Sequence, residues 1–561
     1  MIDFKFAAWE PRSWQTVLLA AVLALYINIS AYPPSFEPVY SVYADISNYY
    51  WIQSFLDSRL FSHDALTALI KSRMPAFAIE MAGIWFTSIF MRTSPYTIGL
   101  KVLSVILLTS SALMIRRLAR VSGAYAISAA VVAFFMGIFL SMDTFHGVTR
   151  AYGAVILLGF FIALQQKRFL LLSPIIMMGF VFYSPTTVCL GASAAAVPLF
   201  YRKDFNKKLL FLYAAGLLTA TLFIMAVKAN SFFMGNFAAS CISGQLQNYK
   251  FSQLVSSPLD PRSPLVMFLY FVLNFNEHGR LYPLMFTLLA ATAAAGFLKS
   301  PGCPKFLPKA FKPILTGSAT AFAVLYFIHP VMASRQFVFV IPLLLVFLSA
   351  EGLERLTGPE YRFPALATIV LLFICLNPFL TEVRNCRHYM SAYNYLSATK
   401  TDSVIAAYPD SMLAETIPIF SKRESFLGYS QDDLQVITHG SDGFETRATD
   451  LLRALYLGEK QMKEFSEYYG VDYLVLEREY YDESYMKQIK TSPQPQHLRL
   501  IKVLNETTEN PENIYQKAKG MAVFSWTSND KEGFIVDLHK FKISGPTNKE
   551  ELKKHSDKNR R

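Results

Sequence analysis

Long apolar stretches recur along this chain from residue 13 to residue 381, and charged residues gather in the gaps between them. Most of these stretches run for about 15 to 20 residues, close to the length that a helix needs to cross a bilayer. The sequence is 53% hydrophobic and 17% charged, whereas soluble domains carry about 25% charged residues. The pattern predicts a polytopic α-helical membrane protein, so the net charge of +12 needs no nucleic-acid partner to explain it.

The basic residues between the apolar stretches predict which side of the membrane each loop occupies, because cytoplasmic loops are enriched in Lys and Arg. Lys5 and Arg12 place the N-terminus in the cytoplasm, and four later clusters belong on the same side: 115–120, 165–168, 201–208 and 299–312. This assignment gives eleven spans, and an odd number puts the C-terminus outside. The first span lies in "SWQTVLLAAVLALYINISAY", and the others are 98–115, 124–141, 150–165, 169–184, 186–201, 209–229, 281–298, 313–329, 336–350 and 364–381.

Two apolar segments do not fit a simple crossing. Segment 74–91 lies between an outer loop and a span that must run inward, so we expect an interfacial or re-entrant helix there. The run 169–201 has basic residues at both ends and must return to the side it left, with Ser184 and Pro185 as the break. Its two short arms predict a water-filled cavity that opens outward, and a locally thinned membrane is the alternative.

The chain changes character at residue 382, the end of the predicted membrane domain 1–381. Apolar strands such as "DSVIAAYP", "VDYLVLERE" and "GFIVDLHKF" alternate with helix-like stretches, which predicts a soluble α/β domain over 382–548 on the outer side. The segments "AAYPDS" and "PIFSKRESFLGY" are predicted loops after strands, where α/β sheets bind ligands. Acceptor binding and a structural role both stay open for this domain. Residues 549–561 are predicted to be a basic tail.

Charged side chains collect on the predicted outer loops of the membrane domain. Arginine binds phosphate with a fixed fork of donors, and a carboxylate can act as a general base or as a metal ligand. Over an apolar bundle, these groups suit cleavage of the bond between a sugar and a lipid-anchored phosphate. The loops are 33–97, 142–149, 230–280 and 329–335, and the candidate residues on or next to them are Asp45, Asp64, Asp143, His146, Arg150 and Arg335.

The order of these features resembles the C-type glycosyltransferases (GT-C), polytopic enzymes that use polyprenyl-phosphate sugars. A first span precedes a long outer loop with an early aspartate in "YADISNYY", then amphipathic helices, a basic turn and a second outer loop with "MDTFHGVTR". The resemblance implies that Asp45 is the catalytic residue and that Asp143 is a second acidic site. Pro330 and Arg335 in "HPVMASRQF" resemble a late Pro and Arg-Tyr pair of the family. By architecture the resemblance covers roughly residues 13–381.

The chain also departs from well-known members of that family. Gln336 stands where relatives have tyrosine, and the second loop has a single aspartate in place of Asp-x-Asp. The first loop lacks an adjacent Asp-Glu pair, so oligosaccharyltransferases and protein O-mannosyltransferases are disfavoured relative to poorly characterised bacterial members. The resemblance implies an inverting transfer of a hexose or pentose from a polyprenyl-phosphate donor to a lipid, glycan or protein acceptor. It places the enzyme in the bacterial inner membrane, with Mg²⁺ or Mn²⁺ as the candidate cofactor on Asp45 and Asp143.

The aspartates of the first loop also have structural interpretations. Asp45 and Asp64 each precede a helix-like stretch, where aspartate is a common N-cap. Asp57 lies beside Arg59 and is expected to form a solvated pair with it. A capping role and a catalytic role are compatible for Asp45.

The residues of the later loops leave alternatives open as well. Asp143 and His146 lie three residues apart and could bind a metal together, or His146 could contact a lipid headgroup. Arg150 and Arg335 could hold the lipid phosphate or snorkel to headgroups.

The rival function is a membrane transporter or a lipid-linked-saccharide flippase that uses the same cavity without chemistry. Such proteins commonly carry inverted repeats and charges near mid-membrane. The sequence shows neither clearly, and its charges gather on one face, which favours the transferase.

Overall fold

The structure is a computed structural model, and it divides the chain into two compact units. Unit 1 comprises Met1–Glu37 and Arg73–Glu382, and unit 2 comprises Pro38–Ser72 and Val383–Arg561. The predicted spans at 13–32, 124–141 and 364–381 lie outside the described residues. The structure describes residues 40–41, 50–62, 64, 67–68, 71, 86, 89–90, 92, 97–123, 149–182, 184–229, 281–305, 307–326, 340–357, 384–409, 411–427, 441–491, 495–528 and 531–541.

Long helices make up most of the described part of unit 1. Their ends lie within a few residues of most of the predicted spans, since an apolar stretch satisfies its backbone hydrogen bonds internally as a helix. The helices are α1 Thr97–Val121, α2 Thr149–Gln165, α3 Leu172–Phe182, α4 Ser184–Phe200, α5 Lys207–Ala229, α6 Leu281–Lys299, α7 Phe311–Tyr326 and α8 Val340–Thr357.

Helix α8 differs most from its prediction, because it continues to Thr357 beyond the predicted end at residue 350. Arg355 and Glu351 lie one turn apart and form an ion pair at 2.6 Å, with side chains 9% and 2% exposed. The Glu351 carboxylate also accepts the backbone N–H of Lys305 at 2.8 Å. These partners satisfy the charges, so the helix does not have to end where the apolar residues end.

The apolar run 169–201 folds as the predicted pair of helices. A short 3₁₀ turn, Phe169–Leu171, leads into α3, and α4 begins at Ser184. Helix α3 has 11 residues, and at about 1.5 Å per residue it is about 17 Å long, well short of a hydrocarbon core of about 30 Å. Helices α3 and α4 pack against each other.

Three of the four predicted cytoplasmic clusters meet at one end of the unit 1 helices. The Lys167 ammonium donates to the Asp204 carboxylate at 2.6 Å, and the backbone N–H of Ala310 donates to the Gln165 side chain at 3.3 Å. These contacts place the turns 165–168, 201–208 and 299–312 together. The structure thus agrees with the charge-based prediction that the three turns share a side.

Small residues allow two pairs of these helices to approach closely, as is common between membrane helices. A Cβ atom at Gly317 of α7 would lie 2.4 Å or less from three atoms of Ser193 in α4, including its backbone nitrogen. A Cβ at Gly296 of α6 would lie 2.2 Å from the carbonyl oxygen of Gly352 in α8. Neither glycine can carry a side chain unless the helices move apart.

We therefore expect Gly317→Ala to destabilise the packing of α4 on α7 by about 1 to 3 kcal/mol, the usual effect of overpacking. Gly191 on α4 is the matched control, because a Cβ there would meet nothing within 4 Å. Gly191→Ala should be neutral or slightly stabilising, since alanine is the better helix former. Thermal unfolding of the two variants in detergent measures the difference, and equal midpoints would contradict the packing argument.

The outward faces of the unit 1 helices carry large apolar side chains. Leu298, Leu199 and Phe211 are 81%, 77% and 74% exposed, a surface suited to lipid rather than to water. Within the described ranges, the helix Lys207–Ala226 is long and apolar enough to cross a membrane, and 11% of its most apolar stretch is buried. Shorter apolar helices cover Tyr152–Gln165, Phe169–Phe182, Thr186–Phe200 and Thr287–Lys299.

Unit 2 contains the predicted α/β fold. Its main sheet has the strand order β4-β3-β5-β7-β6 in the described residues, with β3, β4 and β5 parallel and β7 antiparallel to its neighbours. The three quoted apolar stretches contain β3, β5 and β7, as predicted. The strands of the unit are β1 Tyr40–Ser41, β2 Arg384–Asn385, β3 Val404–Ala406, β4 Glu424–Ser425, β5 Tyr473–Glu477, β6 Ala522–Ser528 and β7 Lys531–Asp537.

Helices cover both faces of this sheet. Along β5, Leu474 and Leu476 belong to one apolar cluster and Val475 to the other, which is the alternation expected of a strand buried on both sides. Ser411 caps α10, with its hydroxyl accepting the N–H of Ala414 at 3.0 Å. The helices are α9 Met390–Ser397, α10 Met412–Phe420, α11 Ser441–Tyr456, α12 Glu459–Tyr469, α13 Glu483–Thr491, α14 Pro495–Leu504 and α15 Pro511–Lys519.

Residues 38–72 fold with this C-terminal unit, whereas the sequence analysis placed the whole loop 33–97 in the membrane domain. Strand β1 pairs antiparallel with β2, with Tyr40 opposite Asn385 and Ser41 opposite Arg384. The segment also buries Trp51 and other apolar side chains, which a solvated loop could not cover. The loop is therefore an integral part of unit 2.

Candidate functional site

The structure places two of the six predicted site residues. Asp64 is described in full, and Arg150 is the second residue of α2. The other four lie outside the described residues, and their roles stay predictions: Asp45, Asp143, His146 and Arg335.

The segment that carries Asp45 is held at both ends by elements of unit 2. It follows β1, which is paired to β2, and it precedes the 3₁₀ turn Tyr50–Ile52 and the one-turn helix Gln53–Leu56. All three residues of that turn are buried, and the Tyr50 ring meets the Phe61 ring edge-on at 4.9 Å. Asp45 therefore lies in a short connection between two fixed points.

Asp64 has the geometry of a helix N-cap. Its carboxylate accepts the backbone N–H of Thr67 at 2.8 Å and the Thr67 hydroxyl at 2.6 Å. Burial raises the pKa of the Asp64 carboxyl. The hydrogen bonds from Thr67 and Tyr50 and the positive charge of Arg447 on α11 lower it, but by less. The side chain is 5% exposed, and its hydrogen bonds go to a residue three positions along the chain. This matches the interpretation of Asp64 as a helix cap.

We expect Asp64→Ala to destabilise unit 2 by about 1 to 2 kcal/mol, because the Thr67 N–H then loses its acceptor inside the protein. Asp64→Asn is the matched control, since asparagine caps helices about as well as aspartate. The full-length chain should unfold at lower denaturant for the alanine variant and close to wild type for the asparagine variant. A loss of the same size in both variants would show that the charge, not the cap, is what matters.

Asp57 and Arg59 form the predicted solvated pair. The guanidinium donates to both carboxylate oxygens, at 3.0 and 2.9 Å. The Arg59 hydrogen bonds lower the pKa of Asp57 to about 2. Because both carboxylate oxygens of Asp57 already accept hydrogen bonds from Arg59 in this solvated pair, Asp57 is not a candidate general base.

Arg150 is the second residue of α2 and lies near the C-terminal end of the short helix α3. Tyr152, two residues after Arg150, packs its ring against that of Phe182, the last residue of α3, with the ring centroids 5.1 Å apart. Phe86 contacts both rings, at 6.3 and 6.4 Å. Arg150 thus lies at the same end of the helices as Phe182, the last residue of α3, and its role at a phosphate stays a prediction.

The carboxyl edge of the unit 2 sheet is the usual place for a ligand, at the point where neighbouring parallel strands connect in opposite directions. Strand β3 has β4 on one side and β5 on the other, so this point lies between β3 and β5. In this structure it is filled by tyrosines of the protein itself. Tyr408 and Tyr480 stack with centroids 4.1 Å apart, and the Tyr485 hydroxyl donates to that of Tyr408 at 3.0 Å. This filling favours the structural role for the predicted loop "AAYPDS".

Glu477 is a notable acidic residue that the sequence analysis missed. It ends β5 opposite Gly533 and is 3% exposed. Burial raises the pKa of the Glu477 carboxyl from 4.5 to about 7, and the charge of Glu479 acts in the same direction. The hydroxyls of Tyr389 and Ser411 interact with the carboxyl and partly offset this rise, although neither oxygen has a hydrogen bond of good geometry within the described residues.

A signal for Glu477 was present in "VDYLVLERE". Residues two apart on a strand share a face, so Glu477 had to lie on the same side as the apolar Val475. A glutamate on the inward face of a buried strand is rare unless it is paired. The alternation in this strand therefore predicts that Glu477 is buried.

No group of three or more His, Cys, Asp or Glu side chains that could hold a metal occurs in the part of the chain that the structure describes. The two predicted metal ligands, Asp45 and Asp143, lie outside that part.

Comparison with known proteins adds little to this geometry. No protein-family model matches the chain, and no curated protein matches it. Among solved structures, the archaeal oligosaccharyltransferase AglB from Archaeoglobus fulgidus, in complex with an inhibitory peptide and a dolichol-phosphate, is similar with a TM-score of 0.37 and 14% identity. The match covers 95% of this chain and 75% of AglB. Likeness at this level identifies neither the fold nor the function.

Proposed function

We propose that this chain is a membrane glycosyltransferase that moves a sugar from a polyprenyl-phosphate donor to an acceptor on the outer face of the membrane. One observation carries the proposal: the loop with Asp45 is built into the C-terminal unit through the pairing of β1 with β2. A carboxylate with a catalytic task has to be held in place, and the described residues on both sides of Asp45 belong to elements of unit 2.

The same pairing supports the predicted topology. Strand β1 follows the first predicted span and β2 follows the last, so both must lie on one side of the membrane. The chain then has to cross an even number of times between residues 41 and 384, and the sequence predicts ten spans in that interval. With Lys5 and Arg12 in the cytoplasm, the β1–β2 pair and the C-terminal unit belong outside.

In the proposed reaction, Asp45 acts as the general base. It takes the proton from an acceptor hydroxyl or amide, which attacks the anomeric carbon of the donor. The bond from that carbon to the phosphate oxygen breaks, and the phosphate leaves with the electron pair. Arg335 and Arg150 neutralise the charge that develops on it. A single displacement of this kind inverts the anomeric configuration, and Asp143 and His146 form a second polar site.

Donor binding tests the role of the arginines. A panel of polyprenyl-phosphate sugars is titrated into the purified full-length protein and into Arg335→Ala. We expect at least one donor to bind, with affinity about 10- to 100-fold lower in the variant, the usual value of a charged hydrogen bond to phosphate.

Arg168→Ala is the matched control, because Arg168 is exposed in a turn predicted to face the cytoplasm. Its affinity for the donor should equal that of the wild type. Equal losses in both variants, or no binding by any member of the panel, would contradict the proposed donor site.

A further inference from the structure

A short path of contacts joins the buried Glu477 to the strand pair that holds the Asp45 loop. Tyr389 is 3% exposed and belongs to the apolar cluster of Val475 and Trp526 on the Glu477 face of the sheet, and its hydroxyl lies near the Glu477 carboxyl. Tyr389 ends a 3₁₀ turn, Cys386–Tyr389, that follows β2 directly and contacts β1. Asp45 lies four residues after β1 along the chain.

The polar groups on this face of the sheet are incompletely satisfied. Opposite Gly533, the indole of Trp526 lies so close that a Cβ on the glycine would be 2.4 Å from the ring. The Trp526 N–H, like both Glu477 oxygens, is buried without a hydrogen-bond partner of good geometry in the described ranges. A new charge on Glu477 would therefore have few donors to stabilise it and would strain its surroundings.

We propose that Glu477 is a positioning residue that, through the packing of the turn Cys386–Tyr389 on the sheet, controls how firmly β2 holds β1 and with it the loop that carries Asp45. The neutral acid keeps the turn Cys386–Tyr389 packed on the sheet. The ionised carboxylate is more stable when it is solvated, so the turn and the strand pair open more often. The link to catalysis rests on the proposed function, whereas the link to the strand pair does not.

Several charged and titratable groups face Glu477 and shape this behaviour. Glu479 opposes its ionisation, and the nearby ammonium of Lys531, which is paired with Glu479, favours it. The groups that face Glu477 are Tyr389 of the 3₁₀ turn, Tyr393 of α9, Ser411 at the start of α10, Glu479 and Tyr480 after β5, and Lys531 of β7.

Hydrogen exchange in the intact protein tests the proposal. Protection factors of the amides at 384–389, which remove the intrinsic pH dependence, are measured between about pH 5 and about pH 9. In the wild type we expect protection to fall as the pH rises from about 5 to about 7 and to level off above that, by at most about tenfold per pH unit, as one ionisation requires. Glu477→Gln should show no such step. In Glu479→Gln the loss of protection should end at lower pH, because the variant removes the charge that opposes ionisation of Glu477.

The rate of sugar transfer supplies a second readout that a purely structural residue would not change. The fall of this rate with pH should coincide with the loss of protection in the wild type, vanish in Glu477→Gln and end at lower pH in Glu479→Gln. The same protection step in wild type and Glu477→Gln, or no step in the wild type, would overturn the proposal. A protein that shows the step but consumes no donor would overturn the transferase assignment and still support the coupling of Glu477 to the strand pair.

Discussion

Asp45→Asn is expected to abolish sugar transfer while donor binding and the fold stay intact. Asparagine has the size and shape of aspartate and caps helices as well, so any capping role of residue 45 survives the change. It cannot accept the acceptor proton, and loss of a general base lowers a rate by about 10²- to 10⁴-fold. The rate of release of polyprenyl phosphate from the donor measures the effect.

Asp57→Asn is the matched control on the same loop. Asp57 is tied to the exposed Arg59, and its side chain is 35% exposed. We expect this variant to transfer sugar at close to the wild-type rate. An active Asp45→Asn protein, or equal losses in the two variants, would remove Asp45 from its proposed role.

Glu477→Gln is expected to stabilise unit 2 above neutral pH by up to about 3 kcal/mol. The folded-state pKa of Glu477, about 7, lies above its ordinary value of 4.5. The wild type thus has its full stability below about pH 4.5 and loses it as the pH rises through about 7, at about 1.4 kcal/mol per unit of pKa shift. Glutamine stays neutral throughout, so the variant keeps that stability at alkaline pH.

Denaturant unfolding of the full-length protein at several pH values measures this difference. Glu483→Gln is the matched control, because it is the same substitution at a glutamate that is exposed on α13. The difference between wild type and Glu477→Gln should be small near pH 5 and grow up to pH 8. A variant that is less stable than the wild type at pH 8 would show that the Glu477 carboxylate is stabilised by its neighbours.

The helices of unit 1 could be predicted from sequence, because an apolar environment leaves the backbone no alternative to internal hydrogen bonds. Pro185 predicted the break between α3 and α4. The basic residues of three turns predicted that these turns lie on the same side. Helix α8 continues past the predicted span end at residue 350, where Glu351 pairs with Arg355. Glu351 follows the apolar stretch directly, so the i, i+4 spacing of this pair is visible in the sequence.

The pairing of β1 with β2 could not be predicted. Each strand has two residues, and the two are separated along the chain by almost the whole predicted membrane domain. Strands this short carry no periodic signal, and it is the burial of side chains such as those of residues 50–52 and Phe61 that marks the segment as part of a folded unit. The cap at Asp64 was foreseen as one of two alternatives, because an aspartate before a helical stretch is a local pattern. The roles of Asp45, Asp143, His146 and Arg335 remain predictions from sequence.

The fate of the donor tests the central claim most directly. Full-length protein in liposomes receives a polyprenyl-phosphate sugar with radioactive label in the sugar, and both the lipid and the sugar are followed with time. A transferase cleaves the donor, so polyprenyl phosphate appears in step with labelled product. If the donor instead crosses the bilayer intact and no polyprenyl phosphate is released, the protein is a transporter and the account is contradicted.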